Sequence, residues 1–139
     1  MKVLVDTSVW SLALRRRKGA LSERERQIVR SLSDLVEEGR VVMLGLVRQE
    51  LLSGVREEEA FERLDRLLEP FEDFTVTTAD HRTAARLSNL ARSKGVTVST
   101  IDALIAAISV NNRLPVFTTD KDFQHLTAVA EIPLHRALE

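Results

Sequence analysis

Short runs of aliphatic and β-branched residues alternate along this chain with longer stretches whose apolar residues recur at helical spacing. The short runs predict buried strands, and the stretches between them predict amphipathic helices. Strands that are separated by helices pair in parallel, because each helix carries the chain back across the sheet. The pattern therefore predicts an α/β fold with a mostly parallel sheet of four to five short strands, at positions 3–5, 41–44, 74–77, 116–118 and, more weakly, 129–133.

The helical stretches carry their own start and stop signals. Ser22 is followed three residues later by Glu25, which predicts a capping box, and Gly39 ends that helix. Ser99 or Thr100 caps a later one. Further helices are predicted from about 7 to 14, from 46 to 52, over a charged stretch that Pro70 ends, from 80 to 94, from 101 to about 111 and from 120 to about 126. The charged stretch has a predicted inner face of Phe61, Leu64, Leu67 and Leu68.

The composition bounds the class of protein. A length of 139 residues predicts a single domain over 1–139. The absence of cysteine excludes disulfides, thiolate metal sites and a cysteine nucleophile, and it fits the reducing cytoplasm. No segment approaches the roughly 20 apolar residues of a membrane helix, so no membrane partner is expected. Lys and Arg total 20 against 21 for Asp and Glu, so any nucleic-acid binding needs a local patch or a metal-centred site.

Four acidic residues stand where burial is expected. Asp6 directly follows the first strand, and Asp120 follows a late one. Asp102 is the only charge in the long uncharged run around it, and Glu50 shares a helical stripe with apolar residues. Each has an ordinary explanation when it is taken alone. Asp6 and Asp120 could cap the next helix, Asp102 could be a structural acid in a first turn, and Glu50 could bend out into solvent.

Taken together, the four acids predict one shared site, because the carboxyl ends of parallel strands meet at one edge of a sheet. Two carboxylates about 4 Å apart repel by about 4 kcal/mol at an effective dielectric near 20. A divalent cation is the simplest way to hold them, and oxygen-only ligands select Mg²⁺ or Mn²⁺ over Zn²⁺. Such a site supports phosphoryl chemistry. The scattered histidines, which are predicted to lie at the surface, are His81, His125 and His135.

Several stretches occur in an order and spacing that point to a known family. They are Val3-Leu4-Val5-Asp6-Thr7-Ser8, Glu50-Leu51 followed by Gly54, Ala84-Ala85-Arg86-Leu87 through Gly95, Asp102-Ala103-Leu104-Ile105-Ala106-Ala107, and Thr118-Thr119-Asp120-Lys121-Asp122-Phe123. Over nearly the whole chain they resemble the PIN-domain ribonucleases, in particular the VapC toxins of bacterial toxin–antitoxin pairs. The resemblance implies a PIN-like three-layer α/β/α sandwich and a metal-dependent endoribonuclease that cleaves RNA.

The resemblance also implies which acids act. Asp6, Glu50, Asp102 and Asp120 fall on the acidic quartet of the family, and Asp122 falls on its variable fifth acid. Asp6 and Asp102 would be the most direct metal ligands. Glu50 and Asp120 would complete the site, partly through water, around Mg²⁺ or a substituting Mn²⁺.

Two hydroxyls support this set by resemblance, and one expected hydroxyl is missing. Ser8 and Thr118 fall on positions where the family keeps a hydroxyl or amide, and such groups could orient a carboxylate or a water. Val47 departs from the pattern, because a hydroxyl is common one helical turn before the Glu. That departure leaves the orientation of Glu50 open.

The resemblance implies partners as well: an RNA substrate, a second copy in a homodimer, and a cognate antitoxin that inserts a basic or bulky segment at the acidic pocket. The basic run of Arg15, Arg16, Arg17 and Lys18 could contact RNA phosphates or could be a solvated helix end. Trp10 could stack on a base, although its neighbours Val9 and Leu12 favour a place in the core or in a dimer surface.

Two other functions remain open from the residues. One is a different Mg²⁺-dependent phosphoryl-transfer domain, either a phosphatase of the haloacid-dehalogenase type or a receiver domain. The phosphatase type needs a second acid where this chain has Ser8, and the receiver needs a Lys where it has Asp120. The other is a non-catalytic PIN-like binding module, which would bind metal without cleaving RNA.

Overall fold

The first strand of the chain is the middle strand of a parallel sheet. The structure, a computed structural model, describes residues 1–15 and 18–137. Within them, β1 (Val3–Val5) pairs in parallel with β2 (Val41–Val42) on one side and with β3 (Val116–Phe117) on the other. Every residue of β1 is fully buried. The strand that leads into Asp6 therefore lies at the centre of the core, in a register that pairs Val3 with Val41, Leu4 with Val42 and Val116, and Val5 with Phe117.

Helices connect and cover these strands. The described helices are α1 (Thr7–Arg15), α2 (Glu23–Glu37), α3 (Gly45–Leu52), α4 (Glu58–Leu68), α5 (Thr78–Ser93), α6 (Thr100–Asn112) and α7 (Lys121–Thr127), with a 3₁₀ turn over Lys18–Ala20. The N-terminal helix α1 packs against α2 and α3, and α5 packs along α6. The predicted α/β fold with a parallel sheet is confirmed. No helix in the described part of the chain has the length and apolar character needed to span a bilayer.

Two outer segments extend the sheet beyond these three strands, and each is joined to it by one parallel bridge. On the β2 side, Asp73 bridges Met43 in parallel, and Phe74 continues the pairing with a single N–H bond to the Met43 carbonyl of 2.8 Å. A segment at the edge of a sheet pairs on one side only, so little holds it in extended register.

On the β3 side, the pairing lies one residue beyond the predicted strand. Leu134, one residue beyond the predicted range of 129–133, bridges Val116 in parallel. The Val116 N–H donates to the Pro133 carbonyl and the His135 N–H donates to the Val116 carbonyl, at 2.9 and 2.8 Å. Proline lacks an N–H and cannot contribute a full set of ladder bonds, which limits the pairing to this point.

The capping signals are confirmed. The Ser22 side chain and the Glu25 side chain form a reciprocal capping box at the start of α2. Ser99 caps α6, and its hydroxyl accepts the Asp102 N–H at 3.0 Å. Gly39, just beyond α2, has a φ of +67°, which only glycine adopts easily. Of these signals, the Ser99 cap fixes the start of α6, the helix that carries Asp102.

Some predicted burials are wrong. Leu67, assigned to the inner face of α4, is 54% exposed, whereas its neighbour Leu68 is fully buried. Two adjacent positions on a helix point about 100° apart, so the core takes one of them. His135, predicted at the surface, is half-buried and packs edge-on against Phe117 with ring centroids 4.9 Å apart.

Candidate active site

The site lies at the carboxyl edge of the sheet, where β1 and β3 end side by side. The Asp6 N–H donates to the Phe117 carbonyl at 2.9 Å, which continues the pairing one residue past β1. Asp6 and Thr118 are therefore the first residues beyond two neighbouring strands. Parallel pairing brings these two positions together although they are far apart in sequence.

Asp6 is held by two hydroxyls. Its side chain is buried, with 5% of the residue exposed. The Ser8 and Thr118 hydroxyls both donate to its Oδ2, each at 2.8 Å. Among the hydrogen bonds of the described residues, none reaches Asp6 Oδ1. The carboxylate is fixed in orientation and keeps one oxygen for a further ligand.

The two hydroxyls are themselves held by backbone groups. Ser8 Oγ accepts the Thr119 N–H, and Thr118 Oγ1 accepts the Asp120 N–H, both at 3.0 Å. Each hydroxyl therefore accepts one bond from the 118–120 turn and donates its only hydrogen to Asp6. Such a network leaves little rotational freedom to the side chains in it.

Asp102 opens α6 and is also buried, with 8% of the residue exposed. A negative charge is favoured in the first turn of a helix. Its environment is nevertheless unfavourable to ionisation. Burial, and then the charges of Asp6, Asp120 and Glu50, raise the pKa of Asp102 to about 6, while a hydrogen bond from Ser99 acts in the opposite direction. The four predicted acids therefore lie within electrostatic reach of one another around Asp102.

Glu50 approaches the other three acids from the protein surface. The prediction that it lies buried on the apolar face of its helix is wrong, because Glu50 is exposed in the last turn of α3. Val47 and Leu51 on the same helix are fully buried, and Glu50 projects beside them. Its Oε1 accepts a hydrogen bond of 2.9 Å from the Thr7 hydroxyl at the start of α1.

Asp120 has two roles, and Asp122 has a different place. Asp120 caps α7, since its Oδ1 accepts the Asp122 N–H at 2.9 Å. Its charge also raises the pKa of Asp102, so Asp120 both caps α7 and lies within electrostatic reach of Asp102. Asp122 is exposed and is not among the charges that act on Asp102. The structure does not bring it into the group.

The ion pairs of the described residues leave the acidic group unpaired. No ion pair described within residues 1–15 and 18–137 reaches Asp6, Glu50, Asp102 or Asp120. In the same part of the chain, no three acidic or histidine side chains stand close enough together to enclose an ion as they are. The candidate ligands are all carboxylate oxygens, and among the described contacts no cation pairs with them and no donor reaches Asp6 Oδ1. This donor set fits a hard divalent cation.

Sequence reasoning missed Thr7. Thr7 stands between Asp6 and Ser8, and this position between two predicted site residues is the one sequence feature that pointed to a role for it. Its partner Glu50 lies 43 residues away, so no local pattern could reveal the contact. The predicted basic run at 15–18 lies outside the part of the chain whose side chains the structure describes. Trp10 is buried and meets Phe71 edge-on, which places it in the core.

The comparisons with known proteins agree with this architecture. The family model of the PIN domain matches residues 3–129. Ribonuclease VapC11 of Mycobacterium tuberculosis is 31% identical over 132 residues, which cover 94% of this chain and 95% of the relative. The crystal structure of FitAcB from Neisseria gonorrhoeae has a TM-score of 0.75 at 21% identity, with 97% of each chain covered.

VapBC2 from Rickettsia felis, crystallised bound to a DNA fragment from the promoter, also has a TM-score of 0.75, at 17% identity over 97% of this chain and 98% of that one. These two structures show the fold, and they confirm the expected PIN-like architecture. The family model covers most of the chain, and the curated relative covers nearly all of it. The chain belongs to the PIN-domain family, in its group of VapC ribonucleases.

Proposed function

We propose that the protein is a metal-dependent endoribonuclease that hydrolyses RNA phosphodiester bonds as the toxin of a VapBC-type toxin–antitoxin pair. One observation carries the proposal. Asp6, Glu50 and Asp120 act together on the buried Asp102 at the carboxyl edge of the sheet, and no described ion pair balances them. The 31% identity to a VapC ribonuclease over 94% of the chain supports the same activity.

The metal is assigned to the acidic group. PIN-domain ribonucleases depend on a metal ion, and oxygen ligands select Mg²⁺, for which Mn²⁺ can substitute. Asp6 and Asp102 are the proposed direct ligands, and Glu50 and Asp120 complete the set. We propose Asp122, which is exposed, as the variable fifth acid, which would reach the ion only when a substrate is bound. When bound, the cation would act as a Lewis acid that polarises the phosphodiester and makes water more acidic.

The chain itself orients these groups. Ser8 and Thr118 hold Asp6 so that one carboxylate oxygen stays unpaired. Asp102 is largely ionised above pH 6, so near neutral pH it is ready to bind a cation. The hydroxyls therefore orient Asp6 in advance, and we expect the described acids to move closer together when a cation binds.

Cleavage of a fluorophore-labelled RNA in Mg²⁺ tests the proposal. We expect Asp6→Asn and Asp102→Asn to lose at least about 100-fold in rate, because each removes a proposed ligand, while chelation by EDTA abolishes cleavage by the parent. The exposed Asp65→Asn in α4 is the matched control and should cleave like the parent. Asn variants as active as the parent would exclude this site.

The same assay separates the non-catalytic alternative. A binding module of this fold would bind Mn²⁺ and would show no cleavage with any RNA or metal. Metal binding without cleavage, in protein that keeps its native circular dichroism, would select that alternative. The phosphatase and receiver alternatives are not retained, because the chain belongs to the PIN-domain family.

An antitoxin partner is supported by a second surface. An apolar groove of about 1060 Å³ lies between α1, α2 and the end of α4, and none of the four acids lines it. Its rim includes the exposed Val36 and Leu67. Trp10 lines it too, and in the described part of the chain its buried Nε1 has no hydrogen-bond partner. The apolar lining and the exposed rim fit an apolar antitoxin segment.

Co-expression with the small protein of the neighbouring reading frame tests the partner. We expect a stable complex in which RNA cleavage is inhibited, and we expect Leu67→Asp to weaken that complex by at least about 10-fold without changing free cleavage. The exposed Arg63→Asp on the same helix is the control. If the Leu67 variant bound the antitoxin as tightly as the parent does, the antitoxin would bind at another surface.

The remaining parts of the proposal concern the state of the protein. We propose a single domain over 1–139 that acts in the cytoplasm as a homodimer. Sedimentation at micromolar concentration tests the dimer, since it distinguishes one copy from two directly.

A further inference from the structure

The hydroxyl of Thr7 is bonded to the most exposed acid of the site. Thr7 is the first residue of α1, and Glu50 lies in the last turn of α3. Thr7 Oγ1 donates to Glu50 Oε1 at 2.9 Å. Within residues 1–15 and 18–137, no other described hydrogen bond and no ion pair reaches the Glu50 carboxylate. One hydroxyl therefore anchors this side chain.

Glu50 needs an anchor more than the other acids do. It is exposed and has three rotatable side-chain bonds, so fixing it in one rotamer has an entropic cost. The charge of Asp102 lies within electrostatic reach and repels it toward solvent. Without a donor on the near side, the carboxylate would move away from the other acids.

The helix that carries Glu50 cannot supply this donor. The residue one turn earlier is Val47, which has no hydroxyl and is fully buried against the core. The hydroxyl that orients Glu50 comes instead from Thr7 on α1, which packs against α3.

We propose that Thr7 is a positioning residue that holds Glu50 toward Asp6 and Asp102 so that the group binds a divalent cation, an inference that rests on the proposed function. Three consecutive residues then organise the site from one backbone segment. Asp6 supplies a ligand, Thr7 orients Glu50, and Ser8 orients Asp6. The bond uses Oε1 and leaves Oε2 without a described protein donor.

Two substitutions of Thr7 isolate the hydroxyl. Thr7→Val keeps the branched shape and removes the donor, whereas Thr7→Ser keeps the donor. Thr78→Val is the matched control, because Thr78 is the exposed first residue of α5 and takes part in none of the described side-chain hydrogen bonds. The primary readout is the affinity for Mn²⁺, measured by calorimetry without RNA, and the thermal midpoint in EDTA reports folding.

We expect Thr7→Val to weaken Mn²⁺ binding at least about 5-fold, which is about 1 kcal/mol. Thr7→Ser should stay within about 2-fold of the parent, since its hydroxyl can make the same bond. Thr78→Val should bind like the parent. If Thr7→Val lowers the midpoint in EDTA and Thr7→Ser fails to restore Mn²⁺ affinity, the role is structural and the inference is overturned.

A double substitution tests whether Thr7 acts through Glu50. Glu50→Gln alone should weaken Mn²⁺ binding, and adding Thr7→Val to it should have no further effect, because the carboxylate to be positioned is gone. An equal loss from Thr7→Val in both backgrounds would overturn the inference. So would parent-like affinity in Thr7→Val when Glu50→Gln and Asp102→Asn both bind weakly, and that outcome would leave the proposed function intact. Parent-like affinity in Asp6→Asn and Asp102→Asn would overturn both.

Discussion

Two buried aspartates show how the surroundings of a residue separate a structural acid from a functional one. Asp80 and Asp102 each lie in the first turn of a helix, with 3% and 8% of the residue exposed. Burial acts to raise the pKa of Asp80, but hydrogen bonds from Thr77, Asn111 and Asn112 outweigh it and the pKa is lowered. Asp102 is surrounded by carboxylates, and its pKa is raised. The protein stabilises Asp80 as an anion, whereas the surroundings of Asp102 disfavour its charged form.

The raised pKa of Asp102 predicts a pH-dependent gain from removing its charge. The native state holds this proton more tightly than the unfolded chain, so the protonated form contributes stability that is complete below the unfolded pKa of 3.8 and is lost as pH rises through about 6. Asp102→Asn stays neutral. In EDTA it should raise the free energy of unfolding by about 2–3 kcal/mol near pH 7.5, and by clearly less near pH 5.

Urea unfolding of parent and variant at both pH values measures this difference, with the exposed Asp65→Asn as control. A gain that is equal at the two pH values would show that repulsion at Asp102 is not its source.

Asp80 predicts the opposite behaviour. Its carboxylate accepts the Thr77 N–H and the Asn111 and Asn112 carboxamides, at 3.0, 3.0 and 3.5 Å. Asp80→Ala should lower the free energy of unfolding by about 2–4 kcal/mol, because these donors lose a charged acceptor. Since its pKa is lowered, the contribution is present above pH 3.8 and disappears as pH falls below it. Chemical denaturation checks both statements, and a loss near pH 7 no larger than that of Asp65→Ala would contradict them.

Residues next to strands could be predicted from the sequence, and residues held by distant contacts could not. Asp6 and Asp120 were found because a strand end is a local pattern and parallel pairing dictates that such ends meet. The exposure of Glu50 was missed because α3 has only 8 residues, too few to define its buried face. Asp80 drew no attention, because its partners Asn111 and Asn112 lie at the far end of another helix.

At the scale of elements, one arginine joins three segments. Arg48 in α3 donates through Nε to Asp73 at 3.0 Å, through Nη1 to the Leu68 carbonyl at 3.0 Å, and through Nη2 to the Phe71 carbonyl. It therefore links α3 to the end of α4 and to the segment that bridges β2. The same helix carries Glu50 two residues later.

We expect replacement of Arg48 by lysine to lower the stability of the fold, although the charge of the side chain stays the same. A lysine ammonium cannot reproduce the planar set of donors, so Arg48→Lys should lower the free energy of unfolding by about 1–2 kcal/mol. Arg63→Lys, at an exposed position of α4, should change it by less than about 0.5 kcal/mol. Equal midpoints for the two variants in urea would show that the Arg48 contacts contribute no net stability.

The elements that were predicted poorly are those with the fewest partners. The central strand β1 is paired on both sides and fully buried, and its bounds match the prediction. The outer segments meet the sheet at one bridge each. Strand propensity is decided by neighbouring strands and by packing, so an edge segment carries the weakest sequence signal.

At the scale of the whole molecule, the described ion pairs all lie away from the acidic group at the sheet edge. Exposed acids of the described surface include several in ion pairs, Glu23 with Arg26, Glu38 with Arg40 and Asp73 with Arg48. The acidic group at the sheet edge has no such pairing. The repulsion within it lowers the stability of the metal-free fold, and a bound cation would remove that penalty.

This repulsion predicts that a divalent cation stabilises the whole fold in a pH-dependent manner. A ligand of the native state raises its stability by RT ln(1 + [L]/Kd), so Mn²⁺ at about 100 times its Kd should add about 2.7 kcal/mol. Near pH 5, protons compete for Asp102, whose pKa is about 6, and the same concentration should add less. Thermal melts in a Mn²⁺ series near pH 7.5 and pH 5 measure both terms.

The Asp102→Asn and Asp80→Ala variants show whether the acidic group causes the shift in these melts. Asp102→Asn is more stable than the parent without metal and should gain little from Mn²⁺, so the order of the two midpoints should reverse as the ion is added. Asp80→Ala is less stable but keeps all four acids, so its gain from Mn²⁺ should equal that of the parent. A midpoint of the parent that does not move at millimolar Mn²⁺ near pH 7.5 would contradict the metal site. A shift of the same size in Asp102→Asn would place the ion elsewhere on the protein.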